Sequence, residues 1–332
     1  MSPQFVDFDA DGRIDIVAGT FDGSPKVARG TAKGFLQPVH VLDRDGARIV
    51  MNMFWNFASK QWDETKRCDP AGAALPHGHQ TSAWACDWDH DGAIDLLLGD
   101  HDSGLVMVRR NEGTTAQPAF AAQNTVVLVG GEPLVVPGTV TTLRLLDVTG
   151  GREDLLVGSM GDAHGDGAGG GVFVYPDVGD GKVRRLGPAV VWVPPSTKRT
   201  AAPVRPDSGL YMDAFDCDGD GDLDLVVGGY SHWTPTPREL TDEQQAQVTR
   251  IQQQLADWAK SVEAIYAAID REVEALPEAE RDARAQELRE ARREELKTFG
   301  NLRAARQTEL DALVPGPKRH SFVWLYENVT PK

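Results

Sequence analysis

Acidic side chains recur three times at one spacing, D-x-D-x-D-G-x-x-D, in DFDADGRIDIVAG from Asp7, DWDHDGAIDLLLG from Asp87 and DCDGDGDLDLVVG from Asp216. Alternate aspartates on a chain that turns sharply at a glycine aim several carboxylate oxygens at one point, where they repel one another unless a cation joins them. The expected ligands of the first loop are Asp7, Asp9, Asp11 and Asp15 with the backbone carbonyl of Arg13. By register the second uses Asp87, Asp89, Asp91, Asp95 and the Ala93 carbonyl, and the third uses Asp216, Asp218, Asp220, Asp224 and the Asp222 carbonyl. An all-oxygen set with flexible spacing suits Ca²⁺, whereas Mg²⁺ demands tighter octahedral geometry and zinc favours Cys or His. Three calcium ions are the expected cofactor, one for each loop.

An EF-hand begins the same way but needs a bidentate Glu at its twelfth position and helices on both sides. The twelfth positions are Ala18, Leu98 and Val227. The segments that follow, IDIVAG, IDLLLG and LDLVVG, are short, rich in β-branched residues and leucine, and bounded by glycine, which predicts strands.

Alignment on the loop exposes a fourth, eroded copy, LLDVTGGREDLLVG, which keeps Asp147, Thr149 and Asp154 and is expected to be metal-poor. Downstream a second motif repeats as PKVARGTAKG from Pro25, GLVMVRRNEGT from Gly104, GVFVYPDVGDG from Gly171 and FVWLYENVTPK from Phe322. It reads as an alternating strand ending in a tight turn. A further strand follows in FLQPVHVLD, FAAQNTVVLV and AVVWVP. Each unit is thus about four short antiparallel strands, and such units stack radially as propeller blades.

The loop followed by D-L-x-x-G and then G-x-V-x-x-x-x-N-x-G resembles the FG-GAP or VCBS repeat family, which builds the β-propeller of integrin α-subunit heads and of many bacterial secreted proteins. The resemblance implies a chiefly structural calcium in the hairpin between the first two strands of a blade. It covers the four units, and the loop at Asp147 departs from its pattern. The expected fold is mainly β, a small propeller of about four blades over residues 1–236, a long α-helical hairpin inserted in the last blade over 237–317, and a closing strand over 318–332. Five blades is the alternative, because the first two loops are widely spaced. The absence of an aspartate signature between residues 48 and 81 favours a long connecting loop there. The last unit is expected to lack its outer strand.

The insertion is marked by a change of composition to Glu, Gln, Ala and Arg. Thr241 opens a capping box, T-D-E-Q, and Val248, Ile251, Leu255, Trp258, Val262, Ile265, Ile269, Val273 and Leu276 follow at steps of three and four. Pro277 interrupts this helix, and a second one carries Leu288, Leu296, Phe299, Leu302, Leu310 and Leu313 before Pro315 and Pro317. Each helix would be on the order of 50 Å long. The two apolar stripes are expected to face each other, with a protein partner or oligomer contact through the hairpin as the alternative.

A formal charge of −16 disfavours nucleic acid and anionic membrane surfaces as partners. No stretch approaches a membrane-spanning length, and MSPQFVDFDADG enters the first repeat without a leader. An extracellular, periplasmic or cell-surface location, with any leader removed, is expected because modest-affinity loops fill where calcium is millimolar. Cys68, Cys86 and Cys217 have no metal or redox spacing and allow at most one disulfide; buried thiols are the expectation.

Catalytic signatures are sparse: there is no phosphate-binding glycine loop, no G-x-S-x-G and no HExxH. His77 and His79 in LPHGHQT and His232 and Trp233 in YSHWTP are the candidate ligand-binding residues, expected in segments that join strands, with Trp55 and Trp62 as flat faces for a sugar. Asp100 and Glu153 are carboxylates without an assigned role. The expected function is a non-catalytic binding or scaffold module with a protein or glycan partner; the alternative is a carbohydrate-binding or polysaccharide-degrading protein.

Overall fold

The computed structural model describes residues 2–71, 75, 78–161, 169–181, 183–196 and 201–328. The chain forms two compact units, Met1–Trp233 with Arg319–Lys332, and Thr234–Lys318.

The first unit is built of antiparallel meanders. The first sheet contains Gln4–Val6, Asp15–Ala18, Lys26–Ala28 and Val39–His40, and the second Gln80–Cys86, Asp95–Asp100, Val106–Arg109 and Thr125–Val126. The third contains Thr139–Leu146, Asp154–Met160, Val172–Tyr175 and Val190–Val193. The fourth has three strands, Ser208–Phe215, Asp224–Trp233 and Lys318–Tyr326. In each of these four sheets the aspartate loop joins the first strand to the second, and in the second the register places Leu97 opposite both Trp84 and Val108.

The strand that follows each loop is apolar at successive positions because both of its faces are covered. Leu96 and Leu98 pack with Phe8, Val17 and Val27 of the first sheet, whereas Leu97 turns to Leu143, Leu155 and Val157 of the third. Leu156, between those last two, faces Leu210, Met212 and Val227 of the fourth. The core therefore lies between consecutive sheets. Gly19, Gly99 and Gly158 close the motif where the first strand of the next sheet comes near, and a Cβ on them would collide with Thr81, Val140 and Leu210 respectively. Paired bonds between Gln4 and the Ala85 backbone, 2.8 and 2.6 Å, lock the first sheet to the second.

Residues 48–81 differ from the expected plain loop. Met53–Asn56 pairs with Gln61–Glu64 as a separate hairpin, with Trp55 opposite Trp62. Its turn is built by Asn56, whose Oδ1 accepts the N–H groups of Ala58 and Ser59, so the pairing needs no aspartate loop. Of the thiols, Cys68 is buried as expected, whereas Cys86 is half-buried and Cys217, on the rim of an acidic loop, is exposed.

The second unit is helical: α1 Asp242–Glu274, α2 Glu278–Ala291 and α3 Arg293–Leu313. Thr241 caps α1 with a reciprocal Gln244 contact. Val248 and Ile251 of α1 pack on Leu310 and Leu313 of α3. The expected second helix is divided at Arg292, where the backbone leaves helical values at φ −103 and ψ 10. Between Leu288 and Leu296 the chain is almost wholly charged, so no apolar contact holds one continuous helix. No described helix is long and apolar enough to cross a membrane.

Candidate metal centres

Each acidic loop is shaped before any side chain reaches a ligand. Asp7 accepts the N–H groups of Asp11 and Gly12 at 3.0 and 2.9 Å, and Asp87 those of Asp91 and Gly92 at 3.1 and 3.0 Å. Asp216 accepts those of Gly219 and Gly221. The turn runs through left-handed backbone at Gly12, Gly92 and Gly221, φ 84, 87 and 90, which glycine adopts without a Cβ clash. Two positions earlier Ala10 and His90 hold φ 55 and 63, where the fourth sheet's loop has Gly219.

The last aspartate of each loop is a knot between strands. Asp15 accepts the Phe8 and Gly30 N–H groups, Asp95 those of Trp88 and Asn111, and Asp224 those of Cys217 and Asn328. The eroded copy keeps the same knot, Asp154 accepting from Val148 at 3.3 Å and Asp177 at 2.9 Å. It also keeps the turn, since Asp147 accepts the N–H groups of Gly150 and Gly151. The eroded copy therefore keeps the first and last acids, which hold the turn and the knot.

Three sets of carboxylate oxygens converge to within 4.8 Å: Asp7, Asp9 and Asp15; Asp87, Asp89 and Asp91; and Asp216, Asp218 and Asp224. Each expected ligand set is thus represented by three acids. Asp11, paired with Arg13 at 2.8 Å, lies outside the first set, Asp95 outside the second and Asp220 outside the third. The three positions expected to supply carbonyls are tied through their amides: Arg13, Ala93 and Asp222 donate to Asp11, Asp91 and Asp220. Burial, reinforced by the charges of Asp91 and Asp87, pushes Asp95 up to about 6 against its two amide bonds. Asp224 is held below the usual carboxylate range by the Asn328 and Cys217 amides.

Buried Oδ1 atoms of Asp9 and Asp89, equivalent in the two loops, have no hydrogen-bond partner. An all-carboxylate set with such an oxygen fits a hard cation. Two arginines that sequence reasoning passed over also enter these loops. Arg29 Nη1 lies 2.9 Å from both Asp9 Oδ2 and Asp15 Oδ2. Arg110 pairs closely with Asp89 and stands 3.2 Å from Asp95. Each directly precedes the residue whose N–H binds the knot aspartate; at that register the third sheet has Pro176 and the fourth Glu327. The signal was present in the aligned motif as ARG, RRN, YPD and YEN.

The candidate ligand-binding residues separate. His77 lies outside the described residues. His79 is 7% exposed in its side chain, its Nδ1 2.8 Å from Asp102, while its buried Nε2 has no partner. Its ring is 4.7 Å from Trp62, 5.1 Å from Phe21 and 5.0 Å from His101, and Trp62 in turn meets Trp55 at 5.8 Å. Burial and the neighbouring His79 lower the basicity of His101. Phe21, His101 and Asp102 had no local signal, because they come together only through packing of the sheets.

His232 and Trp233 lie within the strand Asp224–Trp233, not in a connecting segment as expected. The strand simply continues past Gly229; His232 meets the Tyr230 ring edge-on, and Trp233 stacks on His320, which in turn stacks on Phe322. Of the unassigned carboxylates, Asp100 is buried against Ser103 and raised by that burial, and Glu153 pairs with Arg184 at 3.2 Å. Comparisons of the chain with protein-family models, curated proteins and solved structures found no match.

Proposed function

We propose that this chain is a calcium-binding β-propeller of the FG-GAP/VCBS type, with four blades, that acts outside the cytoplasm as a non-catalytic binding or scaffold module. The observation that carries the reading is the placement of three converging carboxylate sets at one position in three of four successive sheets. The blade arrangement is supported by Arg144 of the third sheet, which meets Trp84 of the second, Asp213 of the fourth and Ser2, just ahead of the first. Calcium in this reading pins the hairpin between the first two strands, neutralises the acids and rigidifies the blade. The helical unit is the contact for a protein partner or a second copy.

The test is metal analysis of protein dialysed against calcium, combined with melting in calcium and in chelator. Calcium at a hundred times its dissociation constant should add about 2.7 kcal/mol per site. Protein that retains no calcium and melts at one temperature in both conditions would remove the proposal.

The gathering of His79 with Trp62, Trp55 and Phe21 favours a second reading, in which a glycan stacks on the exposed aromatic faces. Trp62→Ala should then abolish retention on a glycan array, and an array blank for the native chain would discard this reading.

A further inference from the structure

We infer that Arg29 and Arg110 are resident counter-cations that compete with calcium for the first two loops, so that the three sites form a hierarchy headed by the loop at Asp216. The inference rests on the reading of these loops as calcium sites and adds which of them fills first. Arg29 shares one nitrogen between Asp9 and Asp15, 2.9 Å from each, and its guanidinium also lies over the Phe8 ring. Arg110 makes the matching pair with Asp89 and Asp95. In both loops the guanidinium holds the second and fourth acids of the motif, so it occupies Asp9 and Asp15 of the first converging set and Asp89 of the second.

A divalent ion and a guanidinium on the same oxygens repel, so binding requires the arginine to swing out and give up both pairs. The free energy of that release is taken from calcium affinity. The fourth sheet differs at this register, where the acidic Glu327 replaces the arginine directly before Asn328, whose N–H binds Asp224. The third sheet, whose acids are eroded, has Pro176 there and needs no counter-cation. An arginine thus accompanies the acidic set in two loops and is replaced by an acid in the third set. The device makes the Asp216 site a permanent pin, while the other two respond to the calcium concentration.

Calorimetric calcium titration of the chelator-stripped full chain tests this, with D216N to assign the tight site. The wild type should show one tight and two weaker sites. R29Q with R110Q should tighten the weaker two by about tenfold or more, and E327R should weaken the tight one by a similar factor. E327R removes no contact made by the arginines, so it remains informative if the double substitution impairs folding, which circular dichroism would report. Constants that stay within about twofold in E327R, and in R29Q/R110Q where it folds, overturn the hierarchy while leaving calcium binding intact. Absence of binding in every variant overturns the calcium reading itself, and the hierarchy with it.

Discussion

Arg144 Nε lies 3.3 Å from Asp213 Oδ1, joining the first strands of the third and fourth sheets. The two partners are unequal. Arg144 is 8% exposed in its side chain, packs its guanidinium 4.3 Å from the Trp84 ring and donates to Ser2 at 3.0 Å, whereas Asp213 is 55% exposed. Truncating the arginine removes contacts to two other sheets and to Ser2; truncating the aspartate leaves the arginine its other partners. Arg144→Ala should cost about 3 kcal/mol of unfolding free energy and Asp213→Ala about 1 kcal/mol or less. Urea titration of both variants checks the order, and equal losses would show that the ion pair, not the packing, sets the cost.

Asp154 offers a way to separate framework from metal. It is fully buried and satisfies two amides, from Val148 and Asp177, in the one loop without a converging acidic set among the described residues. Asp154→Ala should destabilise by about 3 kcal/mol equally in calcium and in chelator, because two buried N–H groups lose a charged acceptor. Thr149→Ala, at an exposed position of the same loop, should change stability by about 0.5 kcal/mol or less. A loss for Asp154→Ala that appears only in calcium would reassign this aspartate to metal binding.

The acid spacing was legible because its geometry is local: within nine residues the turn and the carboxylates are both written out. The same holds for the strand after each loop and for the Thr241 cap. Arg29 was not legible as part of a site, since an arginine at a strand end is ordinary until the pairing of Gly30 with Asp15, fifteen residues apart, brings it inward. His79 and Asp102 are separated by 23 residues, and only the pairing of Gln80–Cys86 with Asp95–Asp100 brings them together. The break at Arg292 was missed for another reason. The residues that divide α2 from α3 are good helix formers, and what fails there is the tertiary contact, which propensity does not record.

Asp22 predicts how the first sheet responds to acid. Burial alone would raise its carboxyl, but bonds from Thr20, Lys26 and His40 outweigh that and hold it below the usual range. A lowered folded value means that its contribution is complete above the ordinary carboxylate range and is lost as pH falls through the folded value. His40 acts with the same sign, because burial lowers it despite Asp22, so protonation favours the unfolded chain. Asp22→Asn should lower the urea midpoint at pH 7, and the two proteins should converge as the pH approaches about 3. Midpoints that stay equally far apart on acidification would show that the carboxylate charge contributes nothing.

Gly300 lies inside α3, where no atom stands within 4 Å of the position a Cβ would take, and it borders a groove of about 400 Å³ between α1 and α3 that also includes Trp258, Tyr266 and Phe299. Glycine in a helix interior loses more backbone entropy on folding than alanine and gains no packing in return. Gly300→Ala should therefore stabilise the helical unit by about 0.5–1 kcal/mol, read as an upward shift of the helix signal in thermal melts. The groove adds a second use for the same variant. If its open floor at Gly300 admits a partner side chain, the added methyl should weaken partner or self-association while raising stability, and light scattering alongside the melt separates the two effects. A variant that is less stable than the native chain would mean that α3 needs its flexibility at this point, and the helical unit would then be a hinge and not a rigid arm.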